Sequence, residues 1–204
     1  MIDYFSLLGE RRRPWLDPER LKRKFLELSA EVHPDRVHAL GASERAAAQE
    51  KYMALNTAHQ CLREPRDRIR HLLELERGAA PKGVQEIPAD LMEFAMRVAG
   101  ACREAEKVSA ENAATLSPLL KVEYFERSQI SIEKLQELLR ALMQRRERLL
   151  TELRRIDEAW SKPVGGSAEG DDQALICLEE MLPLFAYFDR WIAQIQERIV
   201  RLSV

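Results

Sequence analysis

Few residues in this 204-residue sequence are grouped in a way that could do chemistry. His59 and Cys61 stand two apart in a helical segment, so their side chains leave the axis in different directions and make a poor metal pair. Cys102 and Cys177 have no ligand pattern beside them, and three well-separated cysteines suit reduced thiols better than a disulfide framework. There is no glycine-rich phosphate loop and no nucleophile motif. The expectation is therefore a protein that is not an enzyme, with no metal site and no cofactor. Arg11-Arg12-Arg13 reads as a solvated basic loop rather than a nucleic-acid contact. What remains is His33-Pro34-Asp35. Taken alone it reads as a turn, with proline fixing one dihedral and aspartate accepting a backbone hydrogen bond.

The elements around that tripeptide give it a setting. Asp17-Pro18 is a helix start, a capping carboxylate followed by proline at the first helical position. Leu21, Phe25, Leu28 and Val32 then recur at helical spacing, and Pro34 requires the helix to stop near Val32. Ser43 is the expected cap of the next helix, whose inner side carries Ala48, Tyr52, Leu55 and Leu62. The loop from His33 to Ala42 is short, so the two helices pack antiparallel. Pro65 opens a shorter helix carrying Ile69, Leu72, Leu73 and Leu75.

Residues 78–89 read as a linker containing Gly78, Pro81, Gly83 and Pro88. Helical periodicity resumes from Asp90 to about Lys107, and a less regular connector with Pro118 follows. A long helix then carries Ile132, Leu135, Leu139, Leu142, Leu149, Leu153, Ile156 and Trp160, with Arg146 as its polar break. Residues 163–170 form a flexible turn. The last helix, roughly Asp172 to Leu202, aligns Leu178, Leu182, Phe185, Phe188, Ile192, Ile195 and Ile199. The fold class is all-α, and the helices after residue 90 close a three-helix bundle.

Composition agrees. Charged residues make up 32% and apolar residues 46%, as amphipathic helices require. The net charge of −2 gives no pull toward nucleic acid or an anionic membrane. No apolar run approaches the ~18–20 residues that span a bilayer, and no secretory signal is visible, so a cytoplasmic location is expected.

Set between two antiparallel helices, His33-Pro34-Asp35 resembles the signature of J-domain proteins. That signature follows a basic helix, here with Arg20, Lys22, Arg23 and Lys24, and precedes an Asn-x-Ala motif, here Asn56-Thr57-Ala58. Tyr4-Phe5 and Leu7-Leu8-Gly9 are similar to the family's short opening helix. The resemblance implies an N-terminal J-domain over residues 1–77, an antiparallel helical hairpin flanked by short helices. It further implies that Arg20, Arg23 and Lys24 offer positive charge to an acidic groove on a DnaK/HscA-type chaperone. Asp35 would engage a basic group near that chaperone's interdomain linker, with His33 and Pro34 shaping the loop and ATP bound by the partner.

Neither a Gly/Phe-rich linker nor repeated Cys-x-x-Cys pairs are present. Instead Leu62-Arg63-Glu64-Pro65, Arg68 and Leu72-Leu73-Glu74-Leu75 resemble the end of the J-domain in HscB-type co-chaperones of iron–sulfur cluster assembly. Leu91-Met92-Glu93 and Tyr187-Phe188-Asp189-Arg190 resemble parts of that family's C-terminal bundle, here residues 90–204. The implied client is an IscU-type scaffold, met through Leu91, Met92 and Tyr187. Met96, Ala99 and Arg103 stand where the family has glutamates, which leaves open a bundle that binds a different client or dimerises. His59 and His71 replace aromatics and can still fill their slots.

Overall fold

A computed structural model of the chain describes residues 2–37, 41–81, 88–114, 118–160 and 168–203. Among these residues the regular structure is helical: α1 (Tyr4–Leu7), α2 (Pro18–Glu31), α3 (Pro34–Val37), α4 (Ala42–Arg63), α5 (Pro65–Arg77), α6 (Ala89–Ala114), α7 (Pro118–Ala159) and α8 (Ala168–Leu202).

The helix boundaries follow from local chemistry. Asp3 caps α1, its carboxylate accepting the amides of Phe5 at 3.0 Å and Ser6 at 3.2 Å. Asp17 caps α2 in the same way, accepting from the Arg20 amide at 2.7 Å, with Pro18 next in line as expected. The cap of α4 falls two residues before Ser43. Glu44 reaches back to the Gly41 amide at 3.1 Å, so the helix begins at Ala42 and Ser43 lies inside it. Pro65 opens α5, and Gly78 ends it in a left-handed conformation, φ 72°, that a side chain would resist.

Other helices run longer than their periodicity suggests. α6 continues past Lys107 to Ala114, because Val108 to Ala114 contains no helix breaker once the apolar stripe ends. Pro118, expected in an irregular connector, is the first residue of α7, a position where its missing N–H costs nothing. α8 starts at Ala168 rather than Asp172. Half of the linker expected at 78–89, residues 82–87, and the turn expected at 163–170 up to Ser167, lie outside the described residues.

The chain divides into two compact units, Met1–Lys82 with Thr151–Leu182, and Gly83–Leu150 with Pro183–Val204. In the first, α1, α2, α3 and α5 all pack against α4. Phe5, Leu8, Leu21, Leu55 and Leu62 are buried there. Each such side chain contributes roughly 1.5–3 kcal/mol. Ala58 is also fully buried, so the Asn-x-Ala alanine stands where only a small side chain fits. Asn56 beside it donates to the Tyr52 carbonyl at 2.9 Å.

In the second unit a core forms from α6 (Leu91, Phe94, Val98, Cys102), α7 (Leu135, Leu138, Leu142) and α8 (Phe188, Trp191, Ile195), the expected three-helix packing. Arg146, the polar break in the α7 stripe, finds its partner on α8. Its Nε donates to Asp189 Oδ1 at 3.1 Å, and its guanidinium lies over the Phe185 ring.

The basic run near the N-terminus is not a free solvated loop. Arg12 Nε donates to Asp3 at 2.9 Å, and Arg13 forks onto the buried carboxylate of Asp157, its Nε at 2.8 Å. The same carboxylate accepts the Trp15 amide at 3.1 Å, and Trp160 Nε1 donates to the Arg12 carbonyl at 2.9 Å. Arg154 stacks on Trp15, so the end of α7 and the residue that follows it hold residues 12–15 by three side chains. Two of the three arginines are thus spoken for inside the fold.

His71 fills its aromatic slot as expected, stacking on Tyr4 with ring centroids 4.5 Å apart and lying near Phe5. It also does something an aromatic hydrocarbon ring could not. Its Nε2 accepts the Tyr4 amide at 3.1 Å, which requires that nitrogen to be unprotonated. Burial holds the His71 pKa below its ordinary value of 6.5, and burial lowers that of His59, stacked on Phe25, in the same direction. The unfolded chain therefore binds more protons than the folded one as pH falls through 6.5. Their contribution to stability is complete above that pH and declines below it. We expect the urea midpoint to fall between pH 7 and pH 5.5, and His71→Phe to flatten that slope at some cost in stability at pH 7.

Candidate functional site

The tripeptide sits where α2 ends. Val32 takes a non-helical conformation and His33 leads directly into α3, so Pro34 and Asp35 open a short helix rather than lying in a plain loop. Proline at a first helical position suits this start. The turn is fixed from several sides. The Arg36 amide donates to the His33 carbonyl at 2.9 Å, and Arg36 Nη1 donates to the Ala30 carbonyl of α2 at 3.2 Å. His33 stands edge-on to Tyr52 of α4, with centroids 5.7 Å apart. Its Nδ1 accepts the Asp35 amide at 3.3 Å.

This scaffold projects one group. The Asp35 side chain is 89% exposed, with Oδ2 3.6 Å from His33 Nδ1. His33 is half-buried against the hairpin, so the tripeptide divides into a positioning ring and an outward carboxylate.

The basic residues lie back along α2. Arg20 and Asp35 are separated by the length of the helix, about 20 Å at 1.5 Å per residue. The site is an elongated edge and not a pocket. Its three predicted cations differ in state. Arg23 is exposed and makes no ion pair among the described residues. Arg20 and Lys24 both lean onto Glu10, with Arg20 Nε 3.3 Å and Lys24 Nζ 2.9 Å from Oε1, and Lys24 also donates to the Gly9 carbonyl. Glu10 is the residue that sequence reasoning missed. Nothing in its type or spacing marks it, because only the fold of the 9–16 segment brings it beside α2.

In the second unit the three predicted contact residues separate. Leu91 is 4% exposed and belongs to the core, whereas Met92 beside it is 44% exposed. Tyr187 is half-buried and stacks on Trp191 at 5.8 Å. Met96, Ala99 and Arg103 are exposed on α6 at the i, i+3, i+7 spacing that puts them on one face with Met92.

Solved structures share this fold. Chaperone HscB from Vibrio cholerae superposes with a TM-score of 0.51 at 19% identity, over 97% of this chain and 99% of that one. The human co-chaperone protein HscB gives a TM-score of 0.61 at 17% identity, over 97% of this chain and 82% of that one. The fold is HscB-like. Sequence comparison points the same way over a shorter span. The chain is 40% identical over 72 residues to the co-chaperone protein HscB homologs of Bordetella pertussis and Bordetella parapertussis. That match covers 35% of this chain and 42% of the HscB homologs, so it spans less than half their length. No family model matches the chain. Among the described residues no helix is long and apolar enough to cross a membrane.

Proposed function

We propose that this chain is a J-domain co-chaperone that stimulates the ATPase of a DnaK/HscA-type chaperone and delivers to it an IscU-type iron–sulfur scaffold. The observation that carries the reading is the outward carboxylate of Asp35, on a turn held by His33 and Arg36 at the end of a basic helix. An outward anion on a held turn, at the end of a positive face, suits docking on a surface of mixed charge. None of these residues needs to break a bond, since ATP is bound and hydrolysed by the partner. Residues 1–77 face the chaperone in this reading, and the bundle within 90–204 faces the client through Met92 and Tyr187, with Leu91 supporting from inside.

Steady-state ATPase measurements with a purified DnaK-type chaperone test it. Wild type is expected to raise turnover, and Asp35→Asn to lose at least tenfold of that effect with an unchanged melting curve, because the side chain is solvent-exposed. Equal stimulation by the variant would overturn the docking mechanism. A second reading has its own observation. The α6 face carries Met96, Ala99 and Arg103 where HscB-type proteins have glutamates, which suits a different client or a second copy of the chain. Stimulation without measurable binding to an IscU-type protein would favour that alternative.

A further inference from the structure

The basic face of α2 holds less free charge than its sequence suggests, and the reason is Glu10. Its side chain is only 5% exposed, wedged where the chain leaves α1 and passes α2. Arg20 and Lys24 meet at one of its oxygens, at 3.3 and 2.9 Å, and Lys24 is further held by the Gly9 carbonyl. The side chain of Arg20 is 55% exposed and that of Lys24 26% exposed. The three groups together carry one positive charge, not two. Arg23, projecting from the same helix, keeps its full charge. A carboxylate this sheltered is poorly screened by salt, so its field persists where a solvated acid's would fade.

We propose that Glu10 is an internal competitor for the acidic docking groove of the chaperone. It presets the positions of Arg20 and Lys24 while withholding part of their charge, so Arg23 makes the first strong contact and Arg20 engages only by exchanging Glu10 for a carboxylate of the partner. The consequence is a deliberately weakened, readily reversible encounter. This rests on the co-chaperone reading above and adds to it a residue that tunes affinity without touching the partner.

The test measures binding of the full chain to an ATP-loaded DnaK-type chaperone across a salt series, for wild type, Glu10→Gln, Arg20→Gln and Arg23→Gln. Glutamine keeps an oxygen for Lys24 and removes only the charge. Adding one net positive charge to the face is expected to tighten binding about threefold to tenfold at low salt, with a steeper salt dependence and a gain that vanishes at high salt. Arg23→Gln is expected to weaken binding more than Arg20→Gln, because Arg20 must first release its internal partner. This second comparison uses two exposed positions and does not depend on how the Glu10 variant folds.

The inference is overturned if Glu10→Gln binds no more tightly than wild type, or if Arg20→Gln costs as much as Arg23→Gln, while Asp35→Asn still abolishes stimulation. A wild-type chain that neither binds nor stimulates the chaperone overturns the co-chaperone reading itself, and this inference with it.

Discussion

Replacing Arg68 with alanine is expected to destabilise the first unit by about 3–5 kcal/mol, the range for removing one member of a buried charged network. Arg68 is 3% exposed, one of the few charged residues inside the fold. Its Nε donates to the Pro14 carbonyl at 2.7 Å and its Nη1 to the Leu62 carbonyl at 2.6 Å. Leu62 lies in the last turn of α4, where carbonyls have no partner within their own helix. One guanidinium therefore satisfies both the end of α4 and the loop that precedes α2. Burial pulls its pKa down to about 10, against the opposing pull of the negative charges of Asp157 and Glu64, so it is still protonated at neutral pH. Arg68→Met fills most of the volume but leaves both carbonyls without their donor, and should recover only part of the loss. Arg68→Lys keeps the charge without the fork. Urea unfolding followed by circular dichroism would rank the variants as wild type, lysine, methionine, alanine, and an alanine variant within about 1 kcal/mol of wild type would remove the argument.

Asp157→Ala comes second, with an expected loss of about 2–4 kcal/mol. The carboxylate accepts both Arg13 contacts and the Trp15 amide, so its removal leaves three donors without their acceptor. Asp157→Asn should cost less, since an amide oxygen can still accept from the Trp15 N–H. The local effect is readable without unfolding the protein. Trp15 and Trp160 both sit at this clamp, and tryptophan fluorescence should shift toward that of a solvated indole. Trypsin should also cut after Arg12 much faster than in wild type, because Asp157 holds the neighbouring Arg13 and Trp15 in the native fold, while Pro14 protects the bond after Arg13. Unaltered cleavage would mean that the loop is held by something other than Asp157.

Residue order made much of this legible. The hairpin could be read from Asp17-Pro18, the apolar spacing of α2 and the proline that ends it, and the bundle from the stripes of α7 and α8. Those signals are local, set by capping and by which side of a helix is apolar. The helix ends at Ala114 and Pro118 escaped because periodicity stops when a helix leaves the core, although the helix itself does not. At the candidate site, Asp35 and the cations of α2 were legible as a motif and as a spacing. Glu10, Arg13 and Asp157 were not. Their partners lie up to 144 residues away, and a lone acid beside an apolar stripe looks the same whether it meets water or a buried arginine.

That separation has a consequence for how the chain is made. The first unit contains Thr151–Leu182 as well as the N-terminal helices, and the acceptor for Arg13 is its residue 157. At a synthesis rate of about 5–20 residues per second, some 7–30 s pass between translation of Arg13 and translation of its partner. Throughout that interval the nascent N-terminal helices carry an unclosed loop and an unpaired arginine at the ribosome surface. The segment before α2 is finished early but locked late, and it is fully held only once the chain has been translated to residue 157.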